Sequence, residues 1–273
     1  ILTSGGLNVF IGQSAGDYVQ TGERNVAIGL EAYSYGATDG VRNTFIGQGA
    51  GGTNFGDGQV GIGYAAFQQY TAAGGAQTFV GYQSGQVLKT GEGNTAVGSY
   101  TFGNSKFAQD SVAVGLAAGQ YSSGSQNVLI GRSAGNLIYS GSNNVHVGYI
   151  AGYYATGSGN TFVGYRAGRG SDSAPYASGD ENTALGNDAM RGLTTGYQNV
   201  AIGHRAGENI TTGYRNVYIG GYRTGYYNQT GDNNVGIGAG AINHDSNNYV
   251  NELIGIGGGA GALTAGNVGD TDG

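Results

Sequence analysis

The clearest pattern in this sequence is a short alternation of apolar and polar positions that returns every 16 to 19 residues, with one longer step. In NVAIG at 25–29, two β-branched residues flank one residue of variable size, and a glycine closes the phrase. Fifteen closing glycines lie between Gly12 and Gly257, at a mean step of 17.5 residues. Such alternation is typical of strands, and the period is too short for helical-pair repeats or propeller blades. The pattern predicts an all-β parallel β-solenoid of about fifteen coils.

Each coil is expected to contain a strand, a glycine bend, a short second strand through the following alanine, and a turn. Steps such as Thr21-Gly22 before the strand have turn chemistry, because glycine accepts a positive φ. We expect a single repeat domain over 1–261 and an irregular tail over 262–273. The step from Gly164 to Gly186 takes 22 residues and contains the only proline, Pro175. We therefore expect a surface loop over 169–181.

Asparagine precedes the strand in eleven of the fifteen coils, for example at Asn25, Asn43 and Asn199. In a stack of coils these side chains lie above one another. Amide groups can satisfy their donors and acceptors along such a stack. The asparagines are therefore predicted to form a structural ladder.

Two positions in the coil compensate each other in size. The middle strand residue and the residue six later are never both large, and twelve coils have one large and one small residue. Because both alternate with the Val, Ile and Ala positions, Val26 and Ile28 are expected to point inward and the large residues outward. The candidate chain–chain interface is then Phe10, Tyr33, Phe45, Phe67, Phe79, Phe102 and Phe162. This predicts a parallel homotrimer, and the alternative is a flattened single-chain solenoid with both positions inside.

The composition removes several classes of function. There is no cysteine, which excludes a disulfide framework, a thiolate metal site and a cysteine nucleophile. The net charge of −6 argues against nucleic-acid binding. The apolar runs are all shorter than a membrane span. Because the chain begins at Ile1, we expect it to be a segment of a longer protein.

No group of residues in the sequence has the spacing of a catalytic or metal site. His146, His204 and His244 fall in different coils, and His146 occupies the variable strand position, where packing is its expected role. Asp270 and Asp272 near the end are interpreted as an acidic terminus rather than as calcium ligands. We therefore expect no catalysis, no metal and no cofactor, although stacking can bring distant carboxylates together.

Tyrosine is the residue most relevant to binding, with 21 copies. Several tyrosines share a register in neighbouring coils or form pairs on connecting loops. Exposed aromatic rows can stack on sugar rings or on protein partners, and the alternative is that they only stabilise the stack. The candidate surface contacts are Tyr64, Tyr82, Tyr149, Tyr165, Tyr153, Tyr154, Tyr197, Tyr214, Tyr226 and Tyr227.

The phrases NVAIGLEA, NTAVGSY, SVAVGLAAG and NVAIGHRAG resemble the left-handed parallel β-roll repeats of trimeric autotransporter adhesin heads (YadA-like). NTFIGQGAG and NTFVGYRAG, with TG turns between them, are similar to the repeats of phage tail-fibre and tail-fibre-like surface proteins. The resemblance covers Asn8 to about Gly261. It implies a left-handed coil and a trimeric extracellular fibre on a bacterial cell surface or a virion tail. The longer coils and the many tyrosines depart from the adhesin pattern.

Together these observations favour a rigid extracellular fibre segment for adhesion or receptor binding, without catalysis. Its expected partners are further copies of the chain and a cell-surface glycan or protein. A structural filament subunit that assembles end to end is the alternative. A glycan-cleaving tailspike is a remote alternative, because no carboxylate pair for it can be identified.

Overall fold

The computed structural model describes residues 5–34, 40–52, 56–69, 75–172, 176–243 and 250–261. These residues contain no helix and form fifteen strands of three residues each. The solenoid prediction is therefore confirmed. The strands are β1 (Val9–Ile11), β2 (Val26–Ile28), β3 (Thr44–Ile46), β4 (Val60–Ile62), β5 (Thr78–Val80), β6 (Thr95–Val97), β7 (Val112–Val114), β8 (Val128–Ile130), β9 (Val145–Val147), β10 (Thr161–Val163), β11 (Thr183–Leu185), β12 (Val200–Ile202), β13 (Val217–Ile219), β14 (Val235–Ile237) and β15 (Ile254–Ile256).

The chain divides into two compact units, Ile1–Ser142 and Asn143–Gly273. In the first unit, β1 to β8 pair in chain order, each parallel to the next. In the second unit, β9 to β15 do the same. The register joins equivalent positions, so Phe10 pairs with Ala27 and Ala27 with Phe45. Each unit is thus a stack of equivalent coils, and the single domain over 1–261 stays a prediction.

The expected orientation of the strands is wrong by one residue. In nearly every strand the middle residue is buried and the two residues beside it are partly or fully exposed. Val26 and Ile28 therefore lie on the outer face, whereas Ala27 between them is fully buried. The physical reason is the width of the coil. A three-residue strand directs one side chain inward, and the narrow interior already contains the alanine that follows the glycine bend, such as Ala32 or Ala50.

The proposed chain–chain interface is corrected with the register. Tyr33, Phe45, Phe67, Phe79, Phe102 and Phe162 have no exposed surface within the single chain, and Phe10 is partly buried against the same core. The size compensation takes place inside each coil. A Cβ atom added to Gly85 would be 2.5 Å from the ring of Phe79, and one added to Gly168 would be 2.4 Å from the ring of Phe162. Both positions therefore lie inside each coil, as in the single-chain alternative, and the homotrimer stays a prediction.

The segment after the glycine bend is a series of turns rather than the predicted second strand. Gly29 has a φ of 133°, and Glu31 and Tyr33 also have positive φ, at 55° and 53°. Alternate left-handed residues are incompatible with an extended strand. The bend itself requires glycine, because a Cβ atom on Gly29 would be 2.7 Å from the backbone of Gly47 in the next coil.

The asparagine ladder is confirmed, and it binds backbone groups as well as amides. The backbone N–H of Asn199 donates to Oδ1 of Asn182 (3.0 Å). Nδ2 of Asn182 donates to the carbonyl of Gly196 in the turn of the next coil (2.9 Å). The same pair of bonds recurs from Asn8 and Asn25 in the first unit. Each buried amide therefore ties the start of one strand to the turn that precedes the next.

The long step keeps the coil intact on both sides. The backbone N–H of Asn182 still donates to Oδ1 of Asn160 (2.9 Å). Ala177 forms a parallel bridge with Ala155, so the chain has rejoined the coil there. Residues 173–175, including Pro175, lie outside the described residues, as do His244 and the predicted tail over 262–273.

Candidate functional site

The predicted tyrosine rows lie on the surface, and their rings stack from coil to coil. In the first unit the rings of Tyr64 and Tyr82 are stacked with centroids 5.1 Å apart, and Tyr100 meets Tyr82 edge-on at 5.3 Å. Tyr64 and Tyr82 are 45% and 44% exposed. Each follows a bend glycine, so equal spacing in the sequence places the rings at equal positions in the stack. Nearly half of the surface of each residue is thus open to a partner.

The second unit repeats this arrangement with arginines beside the rings. Tyr149 stacks on Tyr165 at 5.4 Å, and Tyr197 on Tyr214 at 4.9 Å. The guanidinium of Arg166 lies 5.4 Å from the ring of Tyr165. Its hydrogen bond with Tyr165 is the main reason that the pKa of Arg166 is raised. In the other row, the negative charge of Asp232 raises the pKa of Tyr214.

The predicted loop tyrosines form edge-on pairs. The rings of Tyr153 and Tyr154 are 4.6 Å apart, and those of Tyr226 and Tyr227 are 4.7 Å apart. All four are partly buried. Tyr176, which the sequence reasoning missed, stacks on Tyr154 at 5.7 Å. It was missed because the inserted residues shift its position in the sequence relative to Tyr154.

Two short rows of charged residues lie between these tyrosine pairs in the second unit. Arg166, Asp188 and Arg205 occupy one position in three successive coils, two residues after the bend glycine. Arg169, Arg191 and Glu208 occupy the position three residues further on. The sequence reasoning did not find these rows, because the 22-residue step hides the shared register. Counting each residue from its own bend glycine reveals it.

All of these residues except Arg169 form one network of ion pairs. Arg166 contacts Asp188 at 3.2 Å, and Glu208 is contacted by Arg191 at 2.9 Å and by Arg205 at 3.0 Å. The Glu208 side chain is only 1% exposed, so its two arginines compensate a charge that is costly to bury alone. Arg169 pairs with the exposed Asp172 at 2.5 Å, and this contact lowers the pKa of Asp172.

A cleft of about 350 Å³ opens beside this network. Its lining includes Arg169, Asp172 and Arg191, together with Gly170 and Gly192. The glycines occupy the position at which Tyr154 stands in a neighbouring coil, and a Cβ atom there would meet neighbouring atoms, 2.8 Å from the Ala177 Cβ at Gly170 and 3.0 Å from the Glu208 carbonyl oxygen at Gly192. Ser171, Thr194 and Thr211 add hydroxyl groups to the lining.

The outer face of the strands is a second prominent surface. In the first unit the third strand position is aliphatic throughout, at Ile11, Ile28, Ile46, Ile62, Val80, Val97, Val114 and Ile130. Val97, Val114 and Ile130 are 41%, 36% and 39% exposed. The first strand position holds only Val and Thr in this unit. The second unit has the same kind of face, with Leu185, Ile219 and Ile237 exposed. We call these two surfaces the apolar strand faces.

His146 and His204 do not come together. The ring of His146 is fully buried and stacks on Phe162 with centroids 5.0 Å apart, as its predicted packing role requires. Burial lowers its pKa to about 3, and neither ring nitrogen has a hydrogen-bond partner. His204 lies on the surface in another coil. Across the described ranges, no three His, Asp or Glu side chains are grouped as potential metal ligands.

No helix of membrane-spanning length and hydrophobicity occurs in the part of the chain that the structure describes. The chain matches no protein-family model, and neither a curated protein nor a solved structure is significantly similar to it.

Proposed function

We propose that this chain is a segment of a multi-chain extracellular fibre that binds a cell-surface glycan or protein and catalyses no reaction. The observation that carries the proposal is the stacking of exposed tyrosines at the spacing of the coils, as in Tyr64 and Tyr82. A tyrosine offers a large apolar face and a polar tip, which suits it to sugar rings and to protein surfaces.

The scaffold favours binding because it fixes the rings before a partner arrives. Each stacked ring is held on a coil whose backbone bonds to the coils on either side, as Gln83 N–H does to the carbonyl of Tyr64 (2.8 Å). Little side-chain freedom then remains to be lost on binding. Several weak contacts repeated along one fibre add up through effective concentration.

The apolar strand faces support association of several copies. In the first unit the face is about 35 Å long and about 10 Å wide, from eight strands at the usual strand spacing. It contains no charged residue. Contiguous apolar patches of several hundred Å² are typical of interaction sites.

A second copy of the same chain is the proposed occupant of this face. The face repeats one aliphatic residue per strand, at a spacing of about 4.8 Å. A parallel copy in register presents the same repeat at the same height, with no charge left unpaired. The resemblance to trimeric adhesin and tail-fibre repeats favours three copies, and the corrected interface is formed by the Val and Ile rows instead of the phenylalanines.

Sedimentation of the purified chain tests the assembly. We expect an oligomer of the wild type that Val114→Asp disrupts, because the new carboxylate would be buried without a partner. Tyr100→Asp is the matched control, since Tyr100 is 37% and Val114 is 36% exposed. Circular dichroism establishes that both variants remain folded. A wild type that sediments as a monomer at high micromolar concentration would contradict the assembly.

Binding to intact cells and to a glycan array tests the fibre function. We expect saturable binding that falls at least fivefold in the double variant Tyr64→Ser and Tyr82→Ser. Tyr121→Ser is the control, because Tyr121 is similarly exposed at 38% but lies outside the stacked row. If the wild type binds nothing and forms filaments under the electron microscope, the chain is a structural filament subunit instead.

A further inference from the structure

The cleft beside Arg169 and Arg191 combines the features of a binding site for an acidic sugar. It lies in the second unit, apart from the Tyr64 row on which the proposed function depends. Both arginines line it, at equivalent positions in neighbouring coils. Arg169 and Arg191 side chains are 22% and 35% exposed, so solvent and a ligand can reach them.

The charges around the cleft favour an anion. The connected network contains Arg166, Arg191 and Arg205 against Asp188 and Glu208, which leaves a net charge of +1, and the separate Arg169–Asp172 pair is neutral. The whole chain carries −6. This region is therefore locally positive on an acidic protein. Arginine presents five N–H donors in a planar fork, and a single carboxylate contact does not use them all.

Both arginines keep donors available for a ligand. Arg169 uses Nη1 for Asp172, whose side chain is 66% exposed and held by a surface contact of small energy. Arg191 uses Nη2 for Glu208 and places Nε 3.9 Å from Asp188. A carboxylate entering the cleft can thus accept hydrogen bonds from both guanidinium groups without disrupting the buried Glu208 pairs.

The other walls suit a sugar ring. Gly170 lies against Tyr154, since a Cβ atom on Gly170 would be 3.2 Å from the Tyr154 Cβ. The guanidinium of Arg169 lies 5.3 Å from the Tyr154 ring centroid, so the aromatic ring supports this arginine from behind the lining of the cleft. On the opposite side, the hydroxyl of Thr194 donates to the carbonyl of Thr211 (2.9 Å). Its oxygen remains able to accept a hydrogen bond from a sugar hydroxyl.

We propose that the cleft binds an acidic saccharide. Arg169 and Arg191 hold the carboxylate of a uronic-acid type sugar, and Thr194 accepts a hydrogen bond from a sugar hydroxyl. This inference deepens the proposed function, on which it rests, by naming the glycan class and a separate site for it.

Calorimetric titration of the full chain with trigalacturonate tests the proposal. We expect measurable binding that weakens at least tenfold in Arg169→Gln and at least fivefold in Thr194→Val, with partial recovery in Arg169→Lys. Arg215→Gln is the matched control, because Arg215 also lies over a tyrosine, 5.7 Å from the Tyr214 ring, but outside the cleft. Thermal unfolding curves show whether each variant keeps the wild-type fold.

Three comparison ligands make the outcome decisive. Neutral cellotriose and a short polyglutamate should bind at least tenfold more weakly, because each lacks either the carboxylate or the sugar ring. Dextran sulfate should bind the Arg169→Gln and Arg215→Gln variants with equal affinity. Absent trigalacturonate binding, equal binding of polyglutamate, or equal loss in Arg215→Gln would overturn the proposal. Cell binding that is lost in the Tyr64 and Tyr82 double variant would support the proposed function. If the wild type at the same time does not bind trigalacturonate, only the present inference is contradicted.

Discussion

Gly51 lies directly against the ring of Phe45, six residues earlier in the same coil. A Cβ atom on Gly51 would be 2.4 Å from two carbons of that ring. Phe45 is fully buried and also contacts Tyr33 of the preceding coil, with ring centroids 4.9 Å apart. One large residue therefore fills the interior of a coil, and the residue at the other compensating position has to be small.

This relationship predicts the effect of adding one methyl group. Gly51→Ala should lower the free energy of unfolding by about 2–4 kcal/mol, from overpacking and the left-handed backbone together. Gly58→Ala is the control for the backbone alone. Gly58 has the same φ of 66° as Gly51, but its Cβ would meet nothing closer than 3.6 Å. We expect Gly58→Ala to cost about 1–2 kcal/mol.

The double variant Phe45→Ala with Gly51→Ala separates a clash from independent effects. Removing the ring alone costs about 3–5 kcal/mol. The clash is then absent, so adding Gly51→Ala should cost only as much as Gly58→Ala does. Denaturant unfolding of the four proteins gives the coupling energy. A coupling near zero would show that the two positions do not share one volume.

His146 gives the second unit a dependence of stability on pH. Its pKa is about 3 in the folded chain against 6.5 when unfolded, because burial disfavours the charged ring. The unfolded state therefore binds the proton more tightly. The stability contribution is complete above about pH 6.5 and is lost as the pH falls towards 3. Between pH 7 and pH 4.5 the loss from this group is about 2–3 kcal/mol.

His146→Phe should remove this dependence and stabilise the fold by about 1–3 kcal/mol at pH 7, because two buried nitrogens without partners disappear. Phe162 shows that the site accepts a phenylalanine opposite a glycine, as its own coil has Gly168 there. Unfolding of both proteins at pH 7 and pH 4.5 measures the difference. An equal pH-dependent loss in the two proteins would assign it to carboxylates elsewhere.

Asn182 is predicted to contribute more to stability than its exposed neighbour Gln198. Asn182→Ala leaves the N–H of Asn199 and the carbonyl of Gly196 without their buried partner, at a cost of about 2–4 kcal/mol. Gln198→Ala removes a surface bond to Glu181 and should cost less than about 1 kcal/mol. Thermal unfolding compares them, and equal losses would mean that the ladder is not a source of stability.

The sequence predicts those features of the fold that depend only on spacing. Equal steps place Asn182 under Asn199 and Tyr64 beside Tyr82, and both relationships are found. The face of a three-residue strand does not follow from spacing, because Val26 and Ile28 satisfy the alternation in either orientation. The size compensation between Phe45 and Gly51 indicates the correct orientation, because residues that share one volume must both face the interior of the coil.

The charged rows and the cleft could not be predicted in the same way. Arg169 and Arg191 are separated by 22 residues, so their shared position appears only when the insertion between them is recognised. The cleft further depends on how the turns that contain Gly170 and Gly192 fold against each other, and that arrangement leaves no pattern in the sequence. The grouping of these residues around one cleft is therefore apparent only in the folded coil.

The tolerance of the coil at the long step has a consequence for how such a chain can vary. The amide bond from Asn182 to Asn160 spans 22 residues and measures 2.9 Å, and that from Asn199 to Asn182 spans 17 and measures 3.0 Å. Five additional residues therefore leave the ladder unchanged. The step from Gly164 to Gly186 is a place where the number of residues can change while the ladder is kept. Variation in recognition is thereby uncoupled from the folding of the stack.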